Sequence, residues 1–326
     1  MGAALALAGR TRGATAPNPN VGCVIVREGR MIARGWTQPG GRPHAEAMAL
    51  AQAGDAARGA TAYVTLEPCA HVSPRGPACA DLLIAAGMAR VVIALTDPDP
   101  RTNGAGAARL VAAGVLVTQG IGAAEARRAM AGFLRRRTLG RPHVTLKLAT
   151  SLDGCIALAS GESRWITGAA ARAHAHLERS RHDAIVVGRG TLIADAPMLD
   201  VRLAGLEARA PRRYVLSSAT DDAGLRWRDG VVADRIADPA AIAMLPADHV
   251  LVEGGARTAA AFLTRDLVDR LLLYRAPILI GGGGKAALGD IGLAGLAAAH
   301  RRWVRTDMRQ LGSDVLEVYE RTREGD

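Results

Sequence analysis

The sequence predicts a two-domain α/β protein, in which short strands and helices alternate along most of the chain. Three observations support this class. Short apolar, β-branched runs recur between alanine-rich segments that end at glycine, and this alternation is typical of sheets with helices on both faces. The length of 326 residues suits two domains of ordinary size. The segment 138–142, Thr-Leu-Gly-Arg-Pro, has the composition of a linker, so we expect domains at 1–140 and 141–326.

In the first domain, each element follows from a local pattern. The Ala- and Leu-rich segment 1–8 lacks the basic start of a secretory signal and predicts an amphipathic helix. Strands at 21–26 and 31–35 flank a turn at Glu28-Gly29. A helix at 44–53 ends at Gly54, a typical C-cap. The remaining predicted elements alternate as strand 62–66, helix 78–86, strand 90–95, helix 105–113, strand 115–118 and helix 123–137.

The second domain begins after the linker and repeats the alternation. Asp153-Gly154 predicts a turn after its first strand, and the glycines at 281–284 predict a flexible loop to which we assign no ligand. The predicted elements are strand 144–149, helix 169–179, strands 184–187, 214–216 and 250–252, a helix from 255 to 263, and strands 271–274 and 315–319.

Composition narrows the class of partners. The net charge of +10 comes from arginines scattered along the chain, and aromatic residues make up only 3%, which argues against a surface for nucleic acid. The sequence contains no run of 18 uncharged apolar residues, so we expect no membrane span. Cys23 and Cys155 show no disulfide framework, which favours a reducing cytoplasm. We therefore expect a cytoplasmic homo-oligomer that acts on small anionic molecules.

The segment from His44 to Cys79 carries the most specific chemistry. One imidazole and the thiols of Cys69 and Cys79 would provide three zinc ligands and leave a fourth position for water. Glu46, two residues after the histidine, could move protons for that water. This is the pattern of zinc-dependent nucleobase deaminases, although nine residues rather than two separate the cysteines. The alternative is a surface histidine and two buried cysteines. Helix N-termini at His44 and near Cys79 would lower the pKa of the cysteines.

Further motifs occur in both halves of the chain, within a resemblance to one protein family that covers nearly every residue from Leu5 to Tyr319. The first half contains PNPNVG at 17–22, HAE at 44–46, TLEPC at 65–69 and DP at 97–98; the second contains KLA at 147–149, SLDG at 151–154, GES at 161–163, WIT at 165–167, DAI at 183–185 and VEGG at 252–255. In these motifs the chain resembles the bifunctional riboflavin-biosynthesis deaminase–reductases. The resemblance implies a cytidine-deaminase-like three-layer α/β/α domain followed by a dihydrofolate-reductase-like α/β domain.

The resemblance also implies the reactions. Such an enzyme uses zinc to deaminate 2,5-diamino-6-ribosylamino-4(3H)-pyrimidinone 5′-phosphate. It then uses NADPH to reduce the ribosyl group of 5-amino-6-(5-phosphoribosylamino)uracil to ribityl. The domain at 1–140 would be the deaminase and the domain at 141–326 the reductase. Free water is too weak an acid to supply hydroxide at neutral pH, and zinc lowers its pKa to about 7.

For the deaminase, the resemblance implies zinc ligands His44, Cys69 and Cys79, with Glu46 as the catalytic proton shuttle. The implied substrate contacts are Asn18, His71, Arg75 and Asp97, of which Arg75 would hold the 5′-phosphate. Three departures from the family accompany this set. The loop between the cysteines has one additional residue, Thr37 replaces a common histidine, and Asp99 replaces an asparagine and adds negative charge.

For the reductase, no Gly-x-Gly-x-x-Gly follows a strand, so a Rossmann dinucleotide site is not expected. The resemblance implies that NADPH contacts Ala149, Trp165, Thr191, Asp195, Ser218, Gly255 and Thr258. It implies that the substrate contacts Ser163, Arg179, Leu199, Arg202 and Glu253, with both arginines suited to phosphate. We expect Lys147 and Glu253 to polarise and protonate the ribose during hydride transfer. Cys155, Ala196 and Ser217 depart from the family pattern in this half.

Other functions remain open at the level of sequence. The basic charge is compatible with a deaminase of nucleic acid, but that function would leave the second half of the chain without a role. A binding protein built on the same folds would have no need of Glu46. An enzyme in which only one of the two halves is active is a third alternative.

Overall fold

The structure, a computed structural model, describes residues 1–71, 73–219 and 225–323. It divides into two compact units, Met1–Arg141 and Pro142–Asp326. In the first unit the helices are α1 (Gly2–Ala8), α2 (Ala45–Ala53), α3 (Cys79–Ala85), α4 (Ala105–Ala112), α5 (Ala123–Ala129) and α6 (Ala131–Leu139). The strands of this unit are β1 (Gly22–Arg27), β2 (Arg30–Trp36), β3 (Thr61–Val64), β4 (Arg90–Ile93) and β5 (Leu116–Gln119).

The described strands of the first unit form one sheet in the order β2-β1-β3-β4-β5. Strand β1 pairs antiparallel with β2 and β3, and β3, β4 and β5 are parallel. Because side chains alternate along a strand, β1 contributes to cores on both faces. Cys23 and Ile25 join the main core, whereas Val24 packs with Ala4 and Leu7 of α1 on the opposite face. The unit is therefore layered α/β/α, as predicted.

Helix α2 lies close against the sheet because of one glycine. A Cβ atom on Gly35 of β2 would come within 2.1 Å of the carbonyl oxygen of Ala45, at the start of α2. Only glycine permits this approach. The glycine therefore helps to place the N-terminus of α2, and with it His44 and Glu46, against the end of the sheet.

The prediction of one continuous helix at 123–137 is wrong. The chain forms α5 and α6, which meet at Met130, a residue with non-helical dihedral angles of φ −109° and ψ 20°. Met130 is fully buried, with Ala126 before it and Phe133 after it in the same core. The bend turns both helices toward the core, a tertiary effect that the continuous helical pattern of the sequence does not reveal.

The second unit contains the helices α7 (Ala169–Arg179), α8 (Arg189–Asp195) and α9 (Ala256–Thr264). Its strands are β6 (His143–Thr150), β7 (Cys155–Ala157), β8 (Ala184–Gly188), β9 (Arg212–Leu216), β10 (Asp234–Ile236), β11 (His249–Val252), β12 (Arg270–Arg275), β13 (Lys285–Ala286), β14 (Trp303–Leu311) and β15 (Asp314–Arg321). Within the described ranges, the main sheet has the order β10-β9-β8-β11-β6-β12-β15-β14.

The strands from β10 to β12 in this sheet are parallel, and β15 and β14 complete it in antiparallel pairing. Strand β8 is buried on both faces: Val186 lies in one core with Phe262, and Ile185 and Val187 lie in another with Trp227. Carboxyl ends of parallel strands lie at one edge of a sheet, where α/β proteins commonly bind ligands. The ends of β6, β8 and β11 meet there.

The sequence prediction missed α8, β7, β10, β13 and the long edge strand β14. Strand β14 is largely exposed and mixes polar and charged residues with apolar ones, so it lacks the apolar pattern by which strands are recognised. The glycines at 281–284 form a turn in which Gly281 donates a backbone hydrogen bond of 2.6 Å to the Asp153 carboxylate. No helix in the described part of the chain has the length and apolarity required to cross a membrane.

Candidate active sites

The predicted zinc ligands converge at the helix ends of the first unit. His44 is the N-cap of α2, Cys79 is the first residue of α3, and Cys69 lies between β3 and α3. Their ligand atoms all lie within 4.8 Å of one another. His44 Nδ1 is 3.2 Å from Cys79 Sγ and 3.7 Å from Cys69 Sγ. One imidazole nitrogen and two sulfurs at these separations fit a tetrahedral zinc site with one open position.

The two cysteines do not titrate alike, and the expected lowering of both pKa values is wrong for Cys79. The Cys79 thiol donates a hydrogen bond to Cys69, and this bond lowers the pKa of Cys69. The backbone N–H of Cys79 also donates to Cys69 Sγ over 3.2 Å. The same side-chain bond, together with burial, raises the pKa of Cys79. The shared hydrogen bond thus favours the thiolate at Cys69, and binding of zinc by both sulfurs requires Cys79 to lose its proton as well.

Glu46 lies in the first turn of α2 and is only 4% exposed. Burial raises the pKa of its carboxyl group to about 7, and the nearby charge of His44 offsets part of the rise. A carboxyl group with a pKa near neutrality can both accept and return a proton at the pH of the cell. The position and the environment of Glu46 thus suit a proton shuttle.

The implied substrate contacts of the first unit form two groups. Asn18 Nδ2 donates to the Gly41 carbonyl over 3.0 Å and lies 3.0 Å from His44 Nε2. Arg75, which is exposed, donates to the neighbouring Gly40 carbonyl over 2.8 Å. Asn18 and Arg75 therefore share one turn beside a zinc ligand.

The second group lies around the loop that follows β4. His71 Nδ1 is 3.4 Å from the Thr102 hydroxyl. Asp97 is buried, which raises the pKa of its carboxyl group to about 6. A carboxylate in such an environment can accept hydrogen bonds from a pyrimidine ring without much competition from water.

Sequence reasoning missed Glu67, which holds these parts together. Its carboxylate is buried and accepts backbone hydrogen bonds from Asp97 over 3.2 Å, from Gly104 over 2.9 Å and from Ala107 over 3.0 Å. Glu67 thereby ties the Cys69 segment to Asp97 and to the start of α4. A glutamate next to Pro68-Cys69 at the end of an apolar strand was the signal that could have revealed this role.

Two family departures in this unit have structural explanations. Thr37 is buried, and its hydroxyl oxygen accepts a hydrogen bond of 3.0 Å from the backbone N–H of Val21. It therefore stabilises the backbone next to β1. The negative charge expected from Asp99 is largely neutralised, which corrects that expectation. Arg101 forms a two-point contact with its carboxylate, at 2.9 Å and 2.6 Å, and Arg137 lies 3.6 Å away.

We predict that Asp99→Asn destabilises the first unit by about 1 kcal/mol at pH 7, because Arg101 loses its charged partner in a partly exposed pair. The hydrogen bonds of Arg101 hold the pKa of Asp99 well below its usual range. The contribution of ionised Asp99 to the free energy of unfolding should therefore be present above pH ~4, the pKa of the group in the unfolded chain, and decrease as the pH falls below that value. Thermal unfolding of both proteins at pH 7 and at lower pH measures this difference. An equal difference at every pH would contradict the charge effect.

The second unit has a large cavity at the carboxyl edge of its parallel strands, with a volume of about 1190 Å³. Every reductase residue implied by the resemblance lines it. These residues are Lys147, Ala149, Ser163, Trp165, Arg179, Thr191, Asp195, Leu199, Arg202, Ser218, Glu253, Gly255 and Thr258. They come from separate strands, helices and loops, so the tertiary fold brings the whole predicted set together.

The fit to a dinucleotide rests on the backbone at the start of α9. A Cβ on Gly254 would lie 2.4 Å from Thr258 Cβ, so glycine lets the strand end approach the first turn of the helix. Gly255 is the N-cap residue of α9, and the free N–H groups of such a turn suit phosphate oxygens. Trp165 is 64% exposed, with the Arg172 guanidinium 4.6 Å from the centre of its ring. The cavity thus offers backbone donors and an aromatic surface, as NADPH requires.

Charged groups meet at the base of this cavity. Arg179 donates to both carboxylate oxygens of Glu253, at 2.7 Å and 2.9 Å, and Lys147 Nζ lies 4.0 Å from the same carboxylate. Burial alone would raise the pKa of Glu253, but the charges of Arg179 and Lys147 outweigh it and lower the pKa to about 2. Burial lowers the pKa of Lys147. Glu253 therefore stays ionised at neutral pH, so that only Lys147 of the two has a proton to donate.

This arrangement distinguishes the two arginines that the resemblance assigns to the substrate. The Arg179 guanidinium is occupied by Glu253 and also donates to the Asp200 carbonyl over 3.1 Å. The Arg202 side chain is 65% exposed and lies 3.5 Å from the Asp200 carboxylate. Arg202 is thus the better placed of the two arginines to meet a phosphate.

The three departures in the second unit occupy structural positions. Ala196 ends α8 in the left-handed conformation, at φ 38° and ψ 58°. Cys155 is buried and lies so near Gly284 that a Cβ there would be 2.6 Å from its sulfur. Ser217 is buried and its hydroxyl accepts the backbone N–H of Ala219 over 3.2 Å.

Both units of the chain match known protein families. The family model described as the RibD C-terminal domain matches residues 142–316, and the cytidine and deoxycytidylate deaminase zinc-binding region matches residues 1–95. The riboflavin biosynthesis protein RibD of Escherichia coli K12 is 39% identical over 97% of this chain and 96% of its own. That of Mycobacterium tuberculosis H37Rv is 39% identical over 97% of this chain and 95% of its own.

Solved structures give the same result. Acinetobacter baumannii RibD superposes with a TM-score of 0.87 at 37% identity, covering 99% of this chain and 98% of that one. A Thermotoga maritima protein, named as a diaminohydroxyphosphoribosylaminopyrimidine deaminase and 5-amino-6-(5-phosphoribosylamino)uracil reductase, has a TM-score of 0.86 at 30% identity and covers 99% and 97%. The predicted family, fold class and cofactors are confirmed. The chain therefore belongs to the RibD family of riboflavin biosynthesis, in which a zinc-binding deaminase domain is joined to an NADPH-dependent reductase domain.

Proposed function

We propose that the two units perform successive reactions on one phosphorylated pyrimidine. The unit Met1–Arg141 would deaminate 2,5-diamino-6-ribosylamino-4(3H)-pyrimidinone 5′-phosphate. The unit Pro142–Asp326 would then reduce the ribosyl group of 5-amino-6-(5-phosphoribosylamino)uracil. The observation that carries this proposal is the presence, in one chain, of a His/Cys/Cys cluster beside buried Glu46 and of a cavity lined by every implied reductase residue.

In the deamination step, Glu46 handles the protons. Zinc held by His44, Cys69 and Cys79 supplies Lewis acidity and makes a water molecule acidic enough to lose a proton near neutral pH. Glu46 accepts that proton as the water oxygen attacks C2 of the ring. It delivers that proton to the ring nitrogen, then takes the second proton from the new hydroxyl group on C2 and passes it to the amine, so that C2 becomes a carbonyl carbon and ammonia leaves.

Binding in the first unit would be divided between its two groups of contacts. Asn18 and Arg75 contact the turn at Gly40-Gly41 beside His44, where Arg75 can pair with the 5′-phosphate. His71, two residues after Cys69, and Asp97, in the loop after β4, would contact the pyrimidine. Glu67 would hold the segment around Cys69 and the loop that carries Asp97 at a fixed distance, because its carboxylate accepts backbone hydrogen bonds from that loop.

In the reduction step, Lys147 donates the proton. The start of α9, at Gly255, would hold NADPH, which would be the source of hydride for C1′ of the ribosyl group. Lys147 would protonate O4′ as the C1′–O4′ bond breaks, so that O4′ becomes a hydroxyl group. Glu253 keeps Lys147 in place and stays ionised, while Arg202 pairs with the phosphate. Solvent returns the proton to Lys147 after each turnover.

We also propose the partners, the oligomeric state and the compartment of the enzyme. Small phosphorylated pyrimidines, and not nucleic acid, would be the partners, and the enzyme would be a homo-oligomer in the cytoplasm. The cysteines outside the zinc cluster, Cys23 and Cys155, are buried and free of disulfide bonds, which supports a reducing compartment.

A coupled assay on the purified chain tests the order of the reactions. With the diaminopyrimidinone phosphate as substrate, we expect ammonia first and NADPH oxidation second. Removal of zinc by a chelator should abolish both signals, because no deaminated substrate forms. Adding the deaminated pyrimidine should restore NADPH oxidation in the zinc-free protein, and adding zinc should restore ammonia release. NADPH oxidation with the diaminopyrimidinone before any ammonia appears would contradict the proposed order.

A further inference from the structure

The substrate side of the reductase cavity is formed by a loop without regular secondary structure. Residues 199–202 follow α8 and contribute Leu199 and Arg202 to the cavity wall. Leu199 is buried and has a positive φ of 52°, a conformation that is uncommon for a leucine. Such a loop lacks the backbone hydrogen bonds that hold the strands of a sheet together. Its conformation must therefore be held by contacts from a neighbouring element.

Helix α7 provides those contacts. His176, which is 8% exposed, has its Nδ1 atom 3.0 Å from the Asp200 carbonyl oxygen and 3.3 Å from the backbone nitrogen of Arg202. Arg179, one turn further along the helix, donates to the same Asp200 carbonyl over 3.1 Å. The imidazole therefore lies against the backbone on both sides of residue 201.

The chemistry of imidazole allows this contact to persist in both neutral tautomers. With the proton on Nδ1, the ring donates to the Asp200 carbonyl. With the proton on Nε2, Nδ1 instead accepts the N–H of Arg202. In either form one hydrogen bond holds the loop, and Arg179 holds it in addition.

We propose that His176 is a positioning residue of the reductase, which sets the backbone at Arg202 so that the guanidinium meets the substrate phosphate. This inference rests on the proposed function, since it takes Arg202 as the phosphate contact. His176 also lines the cavity, but its hydrogen bonds go to the loop backbone, and it is through the loop that we expect it to act. Its loss should therefore weaken binding of the phosphorylated substrate and leave the chemical step intact.

The test measures KM and kcat for the deaminated pyrimidine phosphate in His176→Phe, which keeps a ring and removes both nitrogens. We expect KM to rise about tenfold, the effect of one lost hydrogen bond in a buried setting, with kcat within about twofold of wild type. The Kd of NADPH and the deaminase kinetics should not change. In His176→Asn, the amide nitrogen can take the place of Nδ1, and KM should return toward the wild-type value.

His174→Phe is the matched control, since His174 lies on the same helix and contacts Tyr274 at 2.8 Å instead of the loop. Its KM for the pyrimidine phosphate should stay at the wild-type value. A phosphate-specific readout separates positioning from general damage. The preference for the phosphorylated substrate over its dephosphorylated form should fall in His176→Phe, and His176→Phe should add little in an Arg202→Ala background.

Two results would overturn the inference: an unchanged KM in His176→Phe, or an equal loss of activity on phosphorylated and dephosphorylated substrates. Absence of NADPH oxidation in the wild-type enzyme would instead overturn the proposed function on which the inference depends. If His176→Phe does not fold, His176→Gln replaces it in the same comparison of phosphorylated and dephosphorylated substrates, because its longer side chain carries the amide past the position of Nδ1.

Discussion

Glu46→Gln should reduce the kcat of deamination by about 10²- to 10⁴-fold, the range expected when a general acid–base group is removed. Glutamine has nearly the same shape but cannot take up the proton that the attacking water must lose. Its amide should remain in the buried site at the start of α2, so zinc content should not change. Ammonia release and bound zinc, measured on the same sample, check both expectations.

The second unit provides an internal control for this variant. Reduction of added deaminated pyrimidine by Glu46→Gln should proceed at the wild-type rate. Glu125→Gln, at an exposed glutamate of α5 in the same unit, is the matched substitution and should leave deamination unchanged. Deamination at more than one tenth of the wild-type rate in Glu46→Gln would rule out this residue as the proton shuttle.

Lys147→Met should lower the kcat of the reductase by about 10²-fold or more, because the breaking C1′–O4′ bond loses its proton donor. The Kd of NADPH should be unchanged. Methionine can fill most of the space of the lysine stem, and Glu253 keeps the two hydrogen bonds from Arg179, so the cavity should survive the change. Single-turnover NADPH oxidation, together with cofactor titration, measures the two quantities separately.

The chain contains only one other lysine, Lys285, which also lines the cavity. Lys285→Met is therefore a matched control for charge and should retain the wild-type kcat. Lys147→Arg separates charge from acidity, since arginine keeps the positive charge but releases its proton far less readily. We expect it to be as impaired in kcat as Lys147→Met. Full activity in Lys147→Arg would show that only the charge matters.

Much of the zinc site could be predicted because its parts are local. His44 and Glu46 are two residues apart at a helix start, and Pro68-Cys69 follows a short apolar strand, so both patterns are visible without any tertiary information. The glycine stops of α2 and α3 likewise depend on nearest neighbours. The resemblance then extended this local information to the substrate contacts.

The errors concern features that depend on distant partners. The bend at Met130 arises from a buried core and not from a break in helical pattern. The negative charge of Asp99 is neutralised mainly by Arg101, and Arg137, which is remote in the sequence, adds to this only because the fold brings it within 3.6 Å. Strand β14 pairs at the edge of the sheet without an apolar face, so its composition carries no strand signal. The anchoring role of Glu67 requires knowledge of which backbone groups lie near it.

By itself, the sequence determined the family, the α/β class, the zinc ligand set and the residues that line the reductase cavity. The tertiary structure decided the chemical state of those residues. Glu253 is ionised because Arg179, distant in the chain, lies against it, and Glu46 has a raised pKa because it is buried. The role of His176 emerges only when α7 packs beside the loop at 199–202. The sequence gives the identity of each residue, whereas its pKa and its hydrogen-bond partners depend on burial and on interatomic distances that exist only after folding.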